Sequence, residues 1–363
     1  MYRAERQMWP YIATASLIGC AALFSGSRRP NTVAWLLTFI LLVAFVGLRH
    51  KVGMDWNNYL RMIAKAANAP TFVDLFQVCE PLYAAMLSAG HASGFGMYAV
   101  NLLGAAIFLF GAFQFARRTP EPWLALLAAF PYCIVVIGMS ANRQAVAAGV
   151  IMWIVSRADT MSFAKKTFWI IIASGFHVSA LLCLVFVGLE MRVRAPVKLA
   201  AVAAMTALAI YLLQSTGQSV NYDSSYGSGQ TELTQSSGAA YQVALTAIPA
   251  GLLLILNRYQ PGFFPFSLVY YMSIAAVATS ALVPFSSTAA SRISVYWFPV
   301  SMLFWASLPA LFKTSSRPLV RAAIIATSLL ILAGWLSYAN TSFAYIPYAN
   351  AVFRQTWELH IDL

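Results

Sequence analysis

Apolar runs long enough to cross a bilayer recur through this chain, separated by short polar loops. A spanning helix needs roughly 20 consecutive apolar residues. Runs of that kind lie near 8–24, 32–48, 97–116, 122–139, 144–156, 196–213, 240–257, 266–283, 293–312 and 319–338. A further apolar stretch, 167–189, is broken in its middle. Only 9% of the residues are charged and 60% are hydrophobic, whereas a soluble domain carries about a quarter charged residues. The pattern predicts one all-α polytopic membrane domain over 1–363, a bundle of about 10–12 membrane segments. The first apolar run leads straight into a second, which predicts a hairpin and no cleaved leader.

A formal charge of +12 raises nucleic acid as a partner, but the sequence offers no soluble basic domain to bind it. The charge is better explained as topology, because cytoplasmic loops collect Lys and Arg. Cys20, Cys79, Cys133 and Cys183 are scattered without metal-ligand spacing, so neither a disulfide nor a metal site is expected.

The loop 214–239 has no Lys or Arg and contains Asp223 and Glu232, the composition of an extracytoplasmic loop. Counting spans back from it puts Arg192, Arg194 and Lys198 inside. If 167–189 crosses once, Lys165, Lys166, Arg117, Arg118, Arg28 and Arg29 all fall outside, against the positive-inside rule. If it turns back on itself, they all fall inside. Ser174, Gly175 and His177 interrupt the run, and re-entrant backbone is tolerated where it lines a wet cavity. The sequence therefore favours a re-entrant hairpin with His177 near its tip. The segment 49–96, too polar to span, is then an extracytoplasmic amphipathic region resting at the interface.

This topology directs Arg49, Asp55, Glu80, Arg143, His177 and Arg292 toward one outward-facing cavity. Ionisable groups at membrane depth are costly and usually line a cavity or pair with each other. Each has a plainer role open to it. Arg49, Arg292 and Lys51 suit interfacial anchors, Asp55 a helix cap, and Glu80 a helix-start carboxylate. Arg143 suits a helix-end anchor, and His177 a buried neutral imidazole. As a set they suit a phosphorylated lipid: arginine presents a fork matching phosphate oxygens, and a carboxylate or neutral histidine can take a sugar hydroxyl proton. Trp56, Tyr59 and Tyr296 flank the charged positions and could offer faces to sugar rings.

Six short motifs follow in order. They are R-x-x-V-G-x-D-W-x-x-Y from Arg49 to Tyr59, E-P-L from Glu80, N-R-Q-A-x-A-A-G from Asn142 to Gly149, F-H-x-S-A-L from Phe176, S-R-x-x-x-Y from Ser291 to Tyr296, and P-Y-x-N from Pro347 to Asn350. In that order and spacing the chain resembles the EpsG branch of the Wzy-type polysaccharide polymerases. The resemblance implies a GT-C-like glycosyltransferase in the bacterial inner membrane, with its active site facing the periplasm or cell exterior. Such an enzyme joins glycans carried on undecaprenyl pyrophosphate, the donor and acceptor both being lipid-linked oligosaccharides. Membrane lipid, a chain-length regulator and a flippase of the same pathway are its implied partners.

On this reading Arg143 and Arg292 bind the donor pyrophosphate, with Arg49 assisting in place of a metal ion. No cofactor is expected. His177 and Asp55 compete as general base, His177 favoured by its ordinary pKa near neutrality. Glu80, Asn142, Gln144, Trp56, Tyr59, Tyr296 and Tyr348 complete the expected substrate contacts. A lipid-linked glycan ligase, a membrane O-acyltransferase and a lipid-linked glycan transporter are the alternatives. The transporter would predict internal repeats, and none is visible.

Overall fold

The computed structural model describes residues 2–25, 29–191, 193–200, 203–204, 207, 238–259 and 267–353. Most of the expected span at 196–213 and nearly all of the loop 214–239 lie outside the described residues. The described chain is helical and contains no strand. Five helices in it are long and apolar enough to cross a membrane.

The elements follow the apolar runs. Helices α1 (Tyr2–Ser25) and α2 (Thr32–Gly47) form the first hairpin. Three short helices, α3 (Trp56–Ala67), α4 (Phe72–Val78) and α5 (Pro81–Ala92), occupy the polar 49–96 region. The long α6 (Gly96–Ala116) returns, and α7 (Pro122–Ala129) runs into a wider π-type turn at Phe130–Ile137. Pro131 sits there. It has no N–H to donate, so the regular ladder is broken at that point. Helix α8 (Asn142–Ser156) and the 163–190 segment follow. After the undescribed stretch come α11 (Ala239–Tyr259), α12 (Ser267–Ser280), α13 (Ser287–Ser294), α14 (Phe298–Ser307) and α15 (Arg317–Tyr338).

The core pair is α6 on α8. A Cβ on Gly111 would stand 1.8 Å from the Gly149 carbonyl oxygen, and one on Gly149 would stand 2.4 Å from the Phe108 Cα. The two backbones meet directly, as small residues permit where lipid supplies no hydrophobic drive between helices. The closing glycine of the N-R-Q-A-x-A-A-G motif is therefore a packing residue.

Side-chain ties sort the loops into two ends. At one end Arg118 meets Asp159 at 2.6 Å, and Arg321 forks onto Glu121 with two bonds of 2.8 Å. Lys166 meets Glu190 at 2.5 Å, and Ser267 Oγ also bonds Glu190. This is the basic end. At the other end the chain after Leu48 pairs with the C-terminal strap: His50 N–H donates to the Ala349 carbonyl at 2.9 Å and Ala351 N–H to the Leu48 carbonyl at 2.7 Å. Gly53 N–H donates to Ala344 at 2.8 Å. Gly53 has φ 104° and lies so close to Met139 that a Cβ would be 2.0 Å from its carbonyl oxygen. Only glycine fits there.

The broken run 167–189 doubles back. Helix α9 (Phe163–Ser174) rises from the basic end, the chain turns at Gly175–His177, and a 3₁₀ segment (Val178–Cys183) with α10 (Leu184–Leu189) returns. Lys166 near its start touches Glu190 just past its end, which a single crossing could not allow. The tip is pinned by Leu82 and Tyr83, whose N–H groups donate to the Gly175 carbonyl at 2.9 and 3.2 Å.

Candidate functional site

Three successive residues at the start of α8 reach four different residues. Helical residues are spread about 100° apart around the axis, so one turn can serve several neighbours. Asn142 is buried and donates to Tyr83 Oη at 3.2 Å and to Asn101 Oδ1 at 2.9 Å. Arg143 reaches Glu80 Oε2 at 2.8 Å. Gln144 donates its amide hydrogen to the Arg292 carbonyl oxygen. That bond ties it to the backbone that carries Arg292.

Glu80 is the pivot. It begins α5 but makes no side-chain cap bond there. Its carboxylate accepts from Arg143 on one oxygen and from the Val178 N–H at 3.3 Å on the other. One side chain thus joins the 49–96 region, α8 and the hairpin tip. Burial pushes the Glu80 carboxyl up, but the Arg143 charge beside it, helped by further hydrogen bonds, holds it below the usual carboxylate value.

His177 lies in the hairpin turn, its Nδ1 3.6 Å from Glu80 Oε1. The Ser179 N–H donates to that same Nδ1 at 3.3 Å, so the hydrogen of the neutral ring sits on Nε2. Ser179 Oγ is 3.1 Å from Nδ1 and 2.9 Å from Tyr296 Oη. Burial pushes the imidazole down. Glu80 opposes this, Arg143 and Arg292 reinforce it, and the net value is about 4. His177 is therefore neutral at pH 7. Ser179, His177 and Glu80 resemble a nucleophile–base–acid relay only by composition. Such a relay uses opposite ring nitrogens, and here serine and carboxylate approach the same one.

Arg292 is exposed on α13, close enough to His177 to weigh on its charge. Arg49 is different. It is 1% exposed, and its donors go to the carbonyls of Val46 at 2.7 Å and Val52 at 3.2 Å and to Asn101 Oδ1 at 3.1 Å. It closes the end of α2 and has turned away from any surface a substrate could reach. Asp55 is half-buried at the start of α3 and makes no side-chain cap bond. Ser140 Oγ donates to it at 3.2 Å, which places it beside the turn that leads into α8.

The aromatic candidates are packed inward. Trp56 lies with His50 and Tyr98, ring centroids about 6 Å apart. Tyr59 is buried, and its hydroxyl accepts from the Arg143 N–H at 3.3 Å. Tyr296 is buried on Ser179. Tyr348 donates to the Phe45 carbonyl at 2.8 Å and accepts from Asn350. Trp56, Tyr59 and Tyr296 are buried, and Tyr348 is half-buried.

Sequence reasoning passed over Asn101, Tyr83, Ser140, Ser179 and Gln242. Asn101 and Gln242 are lone amides inside apolar runs, which was the available signal. The others lie inside or beside motifs whose charged members drew attention first.

A family model described as the EpsG family matches residues 32–350. No curated protein and no solved structure matches.

Proposed function

The chain belongs to the EpsG family, and from that premise and the geometry of the site end we propose that it is a polysaccharide polymerase. Membership makes it, at a coarse level, a polymerase-like glycosyltransferase of the membrane. The finer reading is that it transfers a growing glycan from undecaprenyl pyrophosphate to the next lipid-linked repeat unit, on the outer face of the bacterial inner membrane. The observation that carries this is the Arg143–Glu80–His177 cluster with Arg292 beside it, gathered at the end opposite the basic loops. Positive loops favour the cytoplasmic side, so the cluster faces outward, where lipid-linked sugars are the available donors.

In this reading Arg143 and Arg292 hold the donor pyrophosphate. The acceptor hydroxyl oxygen attacks the anomeric carbon, and the bond from that carbon to the pyrophosphate oxygen breaks. The transition state has oxocarbenium character. The negative charge gathering on the pyrophosphate is met by the two guanidinium groups. Asp55 takes the hydroxyl proton. His177 is a poor base because its Nδ1 lone pair already receives the Ser179 N–H. Glu80 is held by Arg143 and Val178 and serves to aim both the arginine and the hairpin tip. Arg49 keeps α2 and the following loop in place.

Deleting the gene and complementing with Arg143→Ala at matched membrane levels tests this. The reading predicts single lipid-linked repeat units in place of a polymer ladder. An unchanged ladder would return Arg143 to the status of a helix-end anchor.

A further inference from the structure

Two buried glutamines from different helices converge on two adjacent carbonyls, Ser291 and Arg292. Gln242, on α11, is 3% exposed. Its Nε2 donates to the Ser291 carbonyl at 2.7 Å, and its Oε1 accepts from Ser291 Oγ at 2.6 Å and from Tyr132 Oη at 2.8 Å. Gln144, on α8, donates to the Arg292 carbonyl.

The backbone explains why they are needed. Helix α13 ends at Ser294 and the chain tightens into a 3₁₀ turn at Val295–Trp297 before α14. Carbonyls in the last turn of an α-helix lack intrahelical donors. In a low-dielectric setting an unmet carbonyl costs several kcal/mol. The Ser291 carbonyl receives the Ser294 hydroxyl at 2.7 Å as well as the Gln242 amide, and the Arg292 carbonyl receives Gln144. Two amides gripping consecutive residues from two sides also fix where the Arg292 Cα–Cβ bond points.

We propose that Gln242 and Gln144 are positioning residues that aim the Arg292 guanidinium at the donor pyrophosphate. The inference rests on the reading of Arg292 as a pyrophosphate ligand. It assigns Gln242, outside every motif in the chain, a part in the reaction. It also moves Gln144 from substrate contact to support. Tyr132 anchors the Gln242 amide in turn, because its hydroxyl can donate only to Oε1 and so sets which way the amide faces.

The test is a double-substitution cycle. The purified full-length protein is assayed on lipid-linked repeat units extracted from a host lacking the gene, with undecaprenyl pyrophosphate as product inhibitor. Gln242→Met keeps the side-chain length and removes the hydrogen bonds. We expect kcat/KM to fall about tenfold and inhibition by undecaprenyl pyrophosphate to weaken by a similar factor, the size of one lost orienting contact. In an Arg292→Ala background the same substitution should change either quantity less than about twofold. Ser291→Ala, which removes one of the Gln242 bonds, should give a smaller loss in the same direction and serves if Gln242→Met folds poorly. An equal loss in both backgrounds, or no loss when Gln242→Met is made in the otherwise unsubstituted protein, would overturn the positioning role. If Arg292→Ala alone leaves turnover and inhibition intact, the pyrophosphate reading of Arg292 fails instead, so the two failures are distinguishable.

Discussion

The two ends of the molecule use the same charged side chains for different ends. At the basic end each carboxylate answers one cation: Asp159 with Arg118, Glu190 with Lys166, Glu121 with Arg321. These pairs tie neighbouring segments together. At the site end a single buried carboxylate, Glu80, stands between Arg143 and His177 with Arg292 nearby. There one carboxylate is shared between a guanidinium, a neutral imidazole and a backbone N–H, and so joins three parts of the chain. The pairs at the basic end each tie two segments; the Glu80 cluster sets three relative to one another.

The contrast can be broken from either end. The largest expected effect is Arg143→Lys, which keeps the charge and loses the fork. It should lower kcat/KM for polymer formation by about 100-fold while the thermal unfolding temperature barely changes. Next is Arg49→Met at the same end. It strands the Val46 and Val52 carbonyls and takes one of two donors from Asn101 Oδ1, so folded protein should be destabilised by about 3 kcal/mol, read by thermal unfolding. Its residual folded fraction should bind undecaprenyl pyrophosphate normally, because Arg49 faces inward.

At the basic end Glu121→Gln removes the carboxylate from the buried fork of Arg321. A loss of about 2 kcal/mol is expected, with kcat/KM per folded molecule unchanged. Arg118→Ala should be the mildest charge removal, because its pair with Asp159 is nearly half exposed, 44% and 48% by side chain. Exposed pairs contribute about 0–1 kcal/mol, so melting and polymer yield should both stay at the parent level.

A smaller effect separates the ends by pH. An unfolded histidine takes up its proton near 6.5, whereas folded His177 does so only near 4. The native state therefore binds fewer protons between these values, and stability falls as pH drops from about 6.5 toward 4. Melting curves between pH 7 and 5 should show this fall, and His177→Gln should reduce it.

The sequence made the fold legible because lipid leaves a helix few alternatives: the apolar runs reappear as α1, α2, α6 and α15 within a residue or two at most ends. The hairpin at 163–190 was readable for a different reason, since only a return to the same side put Lys165, Lys166 and Arg117 on the inner side with Arg194 and Lys198. What charge and motif could not supply was direction. Arg49 and Arg143 stand in similar motifs, yet one turns inward to carbonyls and the other to Glu80. The choice depends on Asn101, five residues into α6, and on the tip of a hairpin almost a hundred residues from Glu80. His177 was favoured as a base on its free pKa, but that value belongs to a ring in water. Burial, and the Ser179 N–H on its lone pair, exist only once the hairpin has folded.

The most direct test of the account is the affinity of the purified protein for undecaprenyl pyrophosphate, compared between the two ends. Arg143→Ala and Arg292→Ala should each weaken binding about tenfold or more, and Arg117→Ala and Arg118→Ala should leave it unchanged. Binding that survives loss of Arg143 and Arg292 but falls with Arg117 or Arg118 would place the pyrophosphate at the basic end and contradict the assignment of the site.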